Sequence, residues 1–345
     1  MTNHELKKLG NSEVMIPEIG VGLASWGERH LGYGTTHSEE DIYQAYRTSL
    51  DNGLNFFDTA PGYGGGESEC LLGKCFRKDG RPIVISTKYA PPNMFEPSIK
   101  PRKPCEMLES LDKSLQRLGV EQVDLFTLHF PPSKRLLDEY MDIFVKAIKS
   151  GKTRAVGVSN FSESMLRMAH KRLADQGIPL ASIQSGYSIL QRNPEENGVL
   201  KSCRELKVSL IATGPLAQGV LTGKHRSGQV PLSRFQRTIA QLSRIDWFGE
   251  MEGNGSFFKR LFTRPRSLNK QKLEPLFAVL EDVAKIHEKT IAQVAVNWLL
   301  TTDPLVVPIP GAKNMRQASE NAGAVGWRLS QEEYQRINQA EIESR

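Results

Sequence analysis

Eight short β-branched apolar runs alternate along this chain with longer amphipathic stretches, and that alternation restricts the fold more than any single motif. The runs are Ile19–Ala24, Leu54–Asp58, Ile83–Lys88, Val123–His129, Arg154–Val158, Ala181–Gln184, Ser209–Thr213 and Leu305–Ile309. Each is bounded by Gly, Pro, Ser or Asn, and each is as apolar as a strand buried on both faces has to be. Between them EEDIYQAYRTSL, EMLESLDKSLQRL, EYMDIFVKAIKS and SMLRMAHKRLAD carry the helical period. Ser38 with Asp41 three residues on predicts a helix start, and Gly53, Gly119, Gly151 and Gly177 predict helix ends. Strands joined by crossover helices in one unbroken series predict an α/β protein of the (β/α)8 TIM-barrel type. A doubly wound sheet is the runner-up. It wants G-x-G-x-x-G after its first strand, whereas Gly20-Val21-Gly22-Leu23-Ala24-Ser25 ends in serine.

Two edges fall outside the eightfold count. Residues 5–16 read as a β-hairpin, with Gly10-Asn11 as its turn, placed to plug the N-terminal end of the barrel. Leu329–Glu343 opens on a capping box, Ser330 and Glu333, and reads as a last surface helix. No boundary divides the chain, which predicts a single domain over residues 1–345. At 39% hydrophobic and 24% charged the composition is that of a soluble globular protein. No apolar run approaches the ~18 residues of a membrane span, and MTNHELKKLG lacks the apolar segment of a signal peptide. Cys70, Cys75, Cys105 and Cys203 form no CxxC pair, so neither a metal cluster nor a disulfide framework is expected, and a cytoplasmic setting is.

The formal charge of +6 raises the question of a polyanionic partner. Its location answers it. Between Lys224 and Lys272 stand eleven Lys/Arg against only Asp246, Glu250 and Glu252. That one segment carries more than the whole surplus, so the rest of the chain is slightly acidic. The segment, about 224–271, also holds Trp247-Phe248 and Phe257-Phe258 and reads as a long insertion after the seventh strand. No helix-turn-helix, zinc or RNP-like pattern accompanies it, and no nucleic-acid partner is expected.

In a barrel the chemistry sits where strands end at the C-terminal face. Three consecutive ends carry Asp58, followed by Tyr63, then Lys88, then His129. A Lys and a His at the tail of apolar strands are costly to bury unless paired. A lysine beside a tyrosine favours the phenolate and lowers the tyrosine pKa from ~10. An aspartate beside that lysine keeps it charged, and a histidine nearby can hold a carbonyl oxygen. The set describes a general acid tuned to protonate a carbonyl under reduction.

The stretch NFFDTAPGYGGGESECLLGK resembles the signature of the aldo-keto reductase superfamily, and the spacing of Asp58, Tyr63, Lys88 and His129 is similar to that family's catalytic tetrad. GVSNF at 157–161, GPLAQGVLTGK at 214–224 and PIPGAKNMRQASEN at 308–321 extend the likeness over nearly the whole chain. The resemblance implies a (β/α)8 barrel reducing an aldehyde or ketone, with NADPH/NADP+ held extended across the barrel mouth and Tyr63 as proton donor. It places Ser159, Asn160 and Gln184 at the nicotinamide carboxamide, and Gly214, Leu216 and Gln218 along the cofactor. Gly311, Lys313, Arg316, Gln317, Glu320 and Asn321 fall around the adenosine 2′-phosphate end. Asn314 with Gln317 reads as a helix cap and capping box, and cations at that helix start make sense if an anion joins them. Thr213 stands where many relatives stack an aromatic on the nicotinamide. The resemblance also assigns Trp26 to an aromatic wall of the substrate pocket, with Phe130 and Trp247 as further candidates. Cations of the insertion, Arg226, Arg234 and Arg237 among them, read as holding NADPH or an acidic substrate at the mouth. A second reading keeps fold and cofactor but makes the chain a redox-sensing regulatory subunit, as in the potassium-channel β subunits of this superfamily.

Overall fold

A computed structural model describes residues 6–91, 103–224 and 270–344. The N-terminal hairpin pairs β1 (Lys7–Lys8) with β2 (Met15–Ile16), antiparallel. Its turn is longer than the two residues expected: Leu9 N–H donates to the Val14 carbonyl and Ser12 N–H to that of Leu9. Gly10 takes a left-handed φ of 55° and donates its N–H to Ser209 Oγ at 2.7 Å, which fastens the turn to the barrel.

The barrel strands are β3 (Val21–Gly22), β4 (Phe56–Asp58), β5 (Val84–Tyr89), β6 (Val123–Leu128), β7 (Thr153–Ser159), β8 (Leu180–Gly186), β9 (Ser209–Thr213) and β10 (Val306–Pro308). They pair in parallel, each with its sequence neighbour, as one eight-stranded sheet. Gly20 N–H donates to the Pro308 carbonyl at 2.9 Å and Gly22 N–H to that of Pro310 at 3.1 Å, so the sheet closes on itself. A Cβ on Gly22 would stand 2.8 Å from the Ile309 carbonyl oxygen, and only glycine fits that seam. The two seam strands are shorter than the sequence suggests, because both leave the sheet there to line the mouth.

Around the barrel run α1 (Glu39–Asp51), α2 (Glu67–Asp79), α3 (Met107–Leu118), α4 (Leu137–Lys149), α5 (Glu163–Ala174), α6 (Asn193–Glu196) and α7 (Val199–Leu206). They are followed by α8 (Lys270–Ile286), α9 (Ile291–Thr302), α10 (Met315–Ala322) and α11 (Gln331–Ser344). The Ser38–Asp41 and Ser330–Glu333 caps form as predicted.

The core has two compartments. Outward-facing Ile85, Phe126, Val156, Ile183 and Leu210 pack with Leu72, Leu111, Phe144, Leu166 and Val296 of the helices. Inside, Phe56, Val84, Leu125, Ala155, Ile211 and Val307 fill the lower barrel and meet Leu9, Val14 and Ile16 of the hairpin. The hairpin is thus the bottom plug that the sequence suggested. Above this apolar floor the inward positions turn polar, and they do so at the C-terminal ends of the strands.

Candidate active site

β4 ends on Asp58 and β5 carries Lys88 as its penultimate residue, and both side chains are buried. Lys88 Nζ donates to Asp58 Oδ2 at 2.6 Å, to the Thr59 carbonyl at 2.8 Å and to Tyr63 Oη at 3.2 Å. The far oxygen of Asp58 accepts from Ser86 Oγ at 2.8 Å and from Gln184 Nε2 at 2.7 Å. A buried charge pair is tolerable only when its remaining polar atoms are satisfied, and here each is. Burial works against the Lys88 ammonium, but Asp58 and the Tyr63 oxygen beside it outweigh that and hold its pKa above the ordinary lysine value.

His129 follows β6 directly, and its ring meets that of Tyr63 edge-on, with centroids 6.0 Å apart. Its other face stacks on Phe130 at 4.5 Å. Burial, and after it the charge of Lys88, push His129 well below the ordinary histidine range. Its imidazole is therefore neutral at pH 7, a hydrogen-bonding group and not a cation. Asn160 ties this edge down: its Nδ2 donates to the His129 carbonyl at 3.3 Å and to Ser159 Oγ at 3.0 Å.

A cavity of about 330 Å³ opens from Asp58 and Tyr63 at the barrel mouth. It runs past Thr213, Gly214, Leu216 and Gln218 after β9 to Gly311, Lys313, Gln317, Glu320 and Asn321 around α10. Ten of the residues read from the sequence thus share one groove: two of the tetrad and eight of those assigned to the cofactor. Ala217 and Gln218 bend the wall sharply, with left-handed φ of 47° and 57°. At the far end Asn321 Nδ2 holds the Gly311 carbonyl at 3.1 Å. Asn314 caps α10 by accepting from Gln317 N–H at 3.0 Å.

Family comparison settles what this arrangement belongs to. The family model described as aldo/keto reductase family matches residues 18–342. The chain belongs to that family. It is 32% identical to the chloroplastic pyridoxal reductase of Arabidopsis thaliana, over 98% of this chain and 87% of that protein. It is 30% identical to the L-glyceraldehyde 3-phosphate reductase of Escherichia coli K12, over 92% of this chain and 86% of that one. Among solved structures, a thermostable aldo-keto reductase in complex with the inhibitor epalrestat superposes with a TM-score of 0.70 at 26% identity, covering 97% of this chain and 99% of its own. The chain is an NAD(P)-dependent oxidoreductase of the aldo-keto reductase class.

The reductase departs from several sequence expectations. Trp26 is not a wall of the pocket: it has no exposed surface, its indole N–H donates to the Ala312 carbonyl at 2.8 Å, and its ring leans on Phe57. Its size drives it into the core, where its one polar atom finds a partner. Gln317 does not complete a capping box. Its Oε1 accepts from Lys313 N–H at 2.8 Å, one residue further back than the box requires. Three other cofactor candidates stand outside the cavity lining without contradicting their expected role: Gln184 is buried with its amide on Asp58, Ser159 is buried behind Asn160, and Arg316 is exposed on α10. Trp247, Phe248, Arg226, Arg234 and Arg237 lie outside the described residues. Lys224, the first cation of the insertion, does line the cavity.

The sequence reading missed four residues that build the site. Ser86 holds Asp58, the Thr59 carbonyl holds Lys88, and Glu69 pairs with Arg117 beside the glycines that follow Tyr63. Only Glu69 left a trace, as a charged residue on the inward face of an otherwise apolar helix stripe.

Proposed function

We propose that this aldo-keto reductase uses NADPH to reduce an aldehyde or ketone, with Tyr63 protonating the carbonyl oxygen as it takes up charge. One observation carries the reading: Lys88 Nζ lies between Asp58 Oδ2 and Tyr63 Oη at one end of a groove whose other end carries Lys313.

The groove fits an extended dinucleotide. Gly214 and Gly311 leave its floor open, since a Cβ on either would meet nothing nearer than 3.6 Å. At the far end the start of α10 favours an anion, and Lys313 offers a cation beside it. Lys313, Arg316 and Gln317 would hold the 2′-phosphate, with Glu320 and Asn321 at the adenine and Ser159 and Asn160 at the carboxamide. When bound, the nicotinamide supplies the hydride to the carbonyl carbon.

The rest is done by the chain. The Lys88 ammonium donates to Tyr63 Oη and so stabilises the charge that oxygen gains when its proton leaves. Asp58 keeps Lys88 ionised and aimed, and Ser86 and Gln184 keep Asp58 in place. Neutral His129 can donate a hydrogen bond to the carbonyl oxygen without competing as an acid. Thr213 lines the cavity with far less surface than an aromatic ring. The redox-sensing alternative finds no support in the relatives named above, which are reductases.

A cytoplasmic setting accords with the four cysteines, all of them free. No helix among the described residues is long and apolar enough to cross a membrane. A small aldehyde is the favoured substrate class, and pyridoxal and glyceraldehyde 3-phosphate, named for the two relatives, head the panel to test. NADPH consumption across aliphatic, aromatic, sugar and keto-steroid carbonyls tests the reading. Turnover with at least one aldehyde, faster with NADPH than with NADH, is expected. Failure of the whole panel to oxidise NADPH would overturn it.

A further inference from the structure

Tyr63 is followed by three glycines, and all three adopt left-handed backbone: Gly64 at φ 59°, Gly65 at 66° and Gly66 at 98°. Glycine has the greatest freedom of any residue to lose on folding, so this run does not by itself hold a tyrosine ring to within a few tenths of an ångström. Something outside it must. The first turn of α2, immediately after the glycines, supplies two side chains that reach in opposite directions. Ser68 Oγ lies 2.8 Å from Thr59 Oγ1, next to Asp58, and donates to the Leu23 carbonyl at 3.1 Å. Glu69, with no exposed surface, accepts from Thr87 Oγ1 at 2.6 Å, next to Lys88, and from Arg117 Nε at 2.6 Å. Arg117 in turn lies over the glycine run: a Cβ on Gly66 would stand 2.9 Å from its Cδ and 3.0 Å from its Nε.

We propose that the Glu69–Arg117 pair is a positioning device for Tyr63, bracing the glycine run from outside while Thr87 ties the same carboxylate to the strand that carries Lys88. One buried carboxylate thereby couples the two residues whose contact the reaction needs. A fully buried carboxylate is an expensive way to join a helix to a strand, and an apolar replacement often serves stability as well or better. The ion pair is retained for geometry: a planar guanidinium fixed by Glu69 and, through Nη2, by Ser114 at 3.2 Å presents a flat face that a glycine backbone can lie against. Neither residue lines the groove, so the effect is exerted through Tyr63 and its contact with Lys88. The inference rests on the reading of Tyr63 as the proton donor.

The test is a double-mutant cycle. Glu69→Gln with Arg117→Met removes both charges together and leaves no unpaired ion. In the otherwise native enzyme this pair should lower kcat about tenfold to a hundredfold, the cost of a misplacement on the order of 1 Å. The dissociation constant for NADPH should stay within about twofold. In the Tyr63→Phe background, whose residual rate is read in single turnovers, the same pair should change the rate less than about twofold. An equal loss with and without the phenol would overturn the proposal, because a general loosening of the fold acts on both backgrounds alike. Should the double variant not fold, Arg117→Lys, which keeps the charge and loses the planar fork, is run through the same cycle with the same two outcomes. Full activity of Tyr63→Phe itself would refute the functional reading, and that is seen before the cycle is begun.

Discussion

Lys88 Nζ stands 2.6 Å from Asp58 Oδ2 and 3.2 Å from Tyr63 Oη, so one ammonium is shared between a carboxylate and an oxygen that is charged only when its proton has gone. The two partners make different demands. Removing Lys88 leaves Asp58 as an uncompensated buried charge, at a cost of about 3–5 kcal/mol. It also takes from Tyr63 the contact proposed to stabilise its developing charge. Lys88→Met should therefore lower both the urea midpoint and kcat. Asp58→Asn combined with Lys88→Met should restore most of the midpoint and none of the rate. Recovery of both would mean that the pair serves stability alone.

The neutral state of His129 has a pH signature in stability. Its folded pKa lies well below the ordinary value, so the unfolded chain binds more protons once the pH drops below about 6.5. The contribution of His129 is fully present above that point and is lost as the pH falls. His129→Gln should lose less stability than the parent between pH 7 and pH 5, read as urea midpoints at the two values. An identical loss in both proteins would place the acid sensitivity elsewhere.

Lys313 now donates to the Leu31 carbonyl at 2.5 Å, and burial lowers its pKa. To meet a phosphate it must exchange that carbonyl for a stronger, charge-assisted partner. Lys313→Glu should lower the NADPH-to-NADH ratio of kcat/KM at least about tenfold, or about 1.4 kcal/mol, while kcat with NADH stays near the parent value. An unchanged ratio would remove Lys313 from the cofactor site.

Trp26 gives the clearest separation between the sequence reading and the structure. Its indole joins the loop after β3 to Ala312, next to Lys313. Trp26→Phe strands a buried carbonyl, which costs about 1–3 kcal/mol. The expected result is a lower midpoint and weaker NADPH binding, with the order of preference among carbonyls unchanged. A reordered panel would return Trp26 to the substrate pocket.

Much of this was legible in the residues. The strand–helix alternation predicted the barrel, because strands buried on both faces leave an apolar signal that no solvent-facing strand imitates. Asp58, Tyr63, Lys88 and His129 were legible because charged and polar residues at the tails of such strands need a reason to be there. What failed were questions of direction. Nothing local distinguishes Trp26 turned inward from Trp26 facing the mouth, since its backbone is the same either way. Gln317 could reach Asn314 or Lys313 equally well by spacing. Glu69, Arg117 and Ser86 were missed because each meets its partner across 18 to 48 residues, a closeness that exists only once the barrel has formed.

Every role proposed for Asp58, Lys88 and His129 depends on Tyr63 delivering the proton. Tyr63→Phe keeps the ring and its edge-on contact with His129 and removes only the oxygen that Lys88 touches. Steady-state NADPH oxidation with the best aldehyde of the panel, alongside the NADPH dissociation constant, tests it directly. A fall in kcat of about 10²–10⁴ is expected, with NADPH binding within about twofold of the parent. A variant that turns over at the full rate would contradict it.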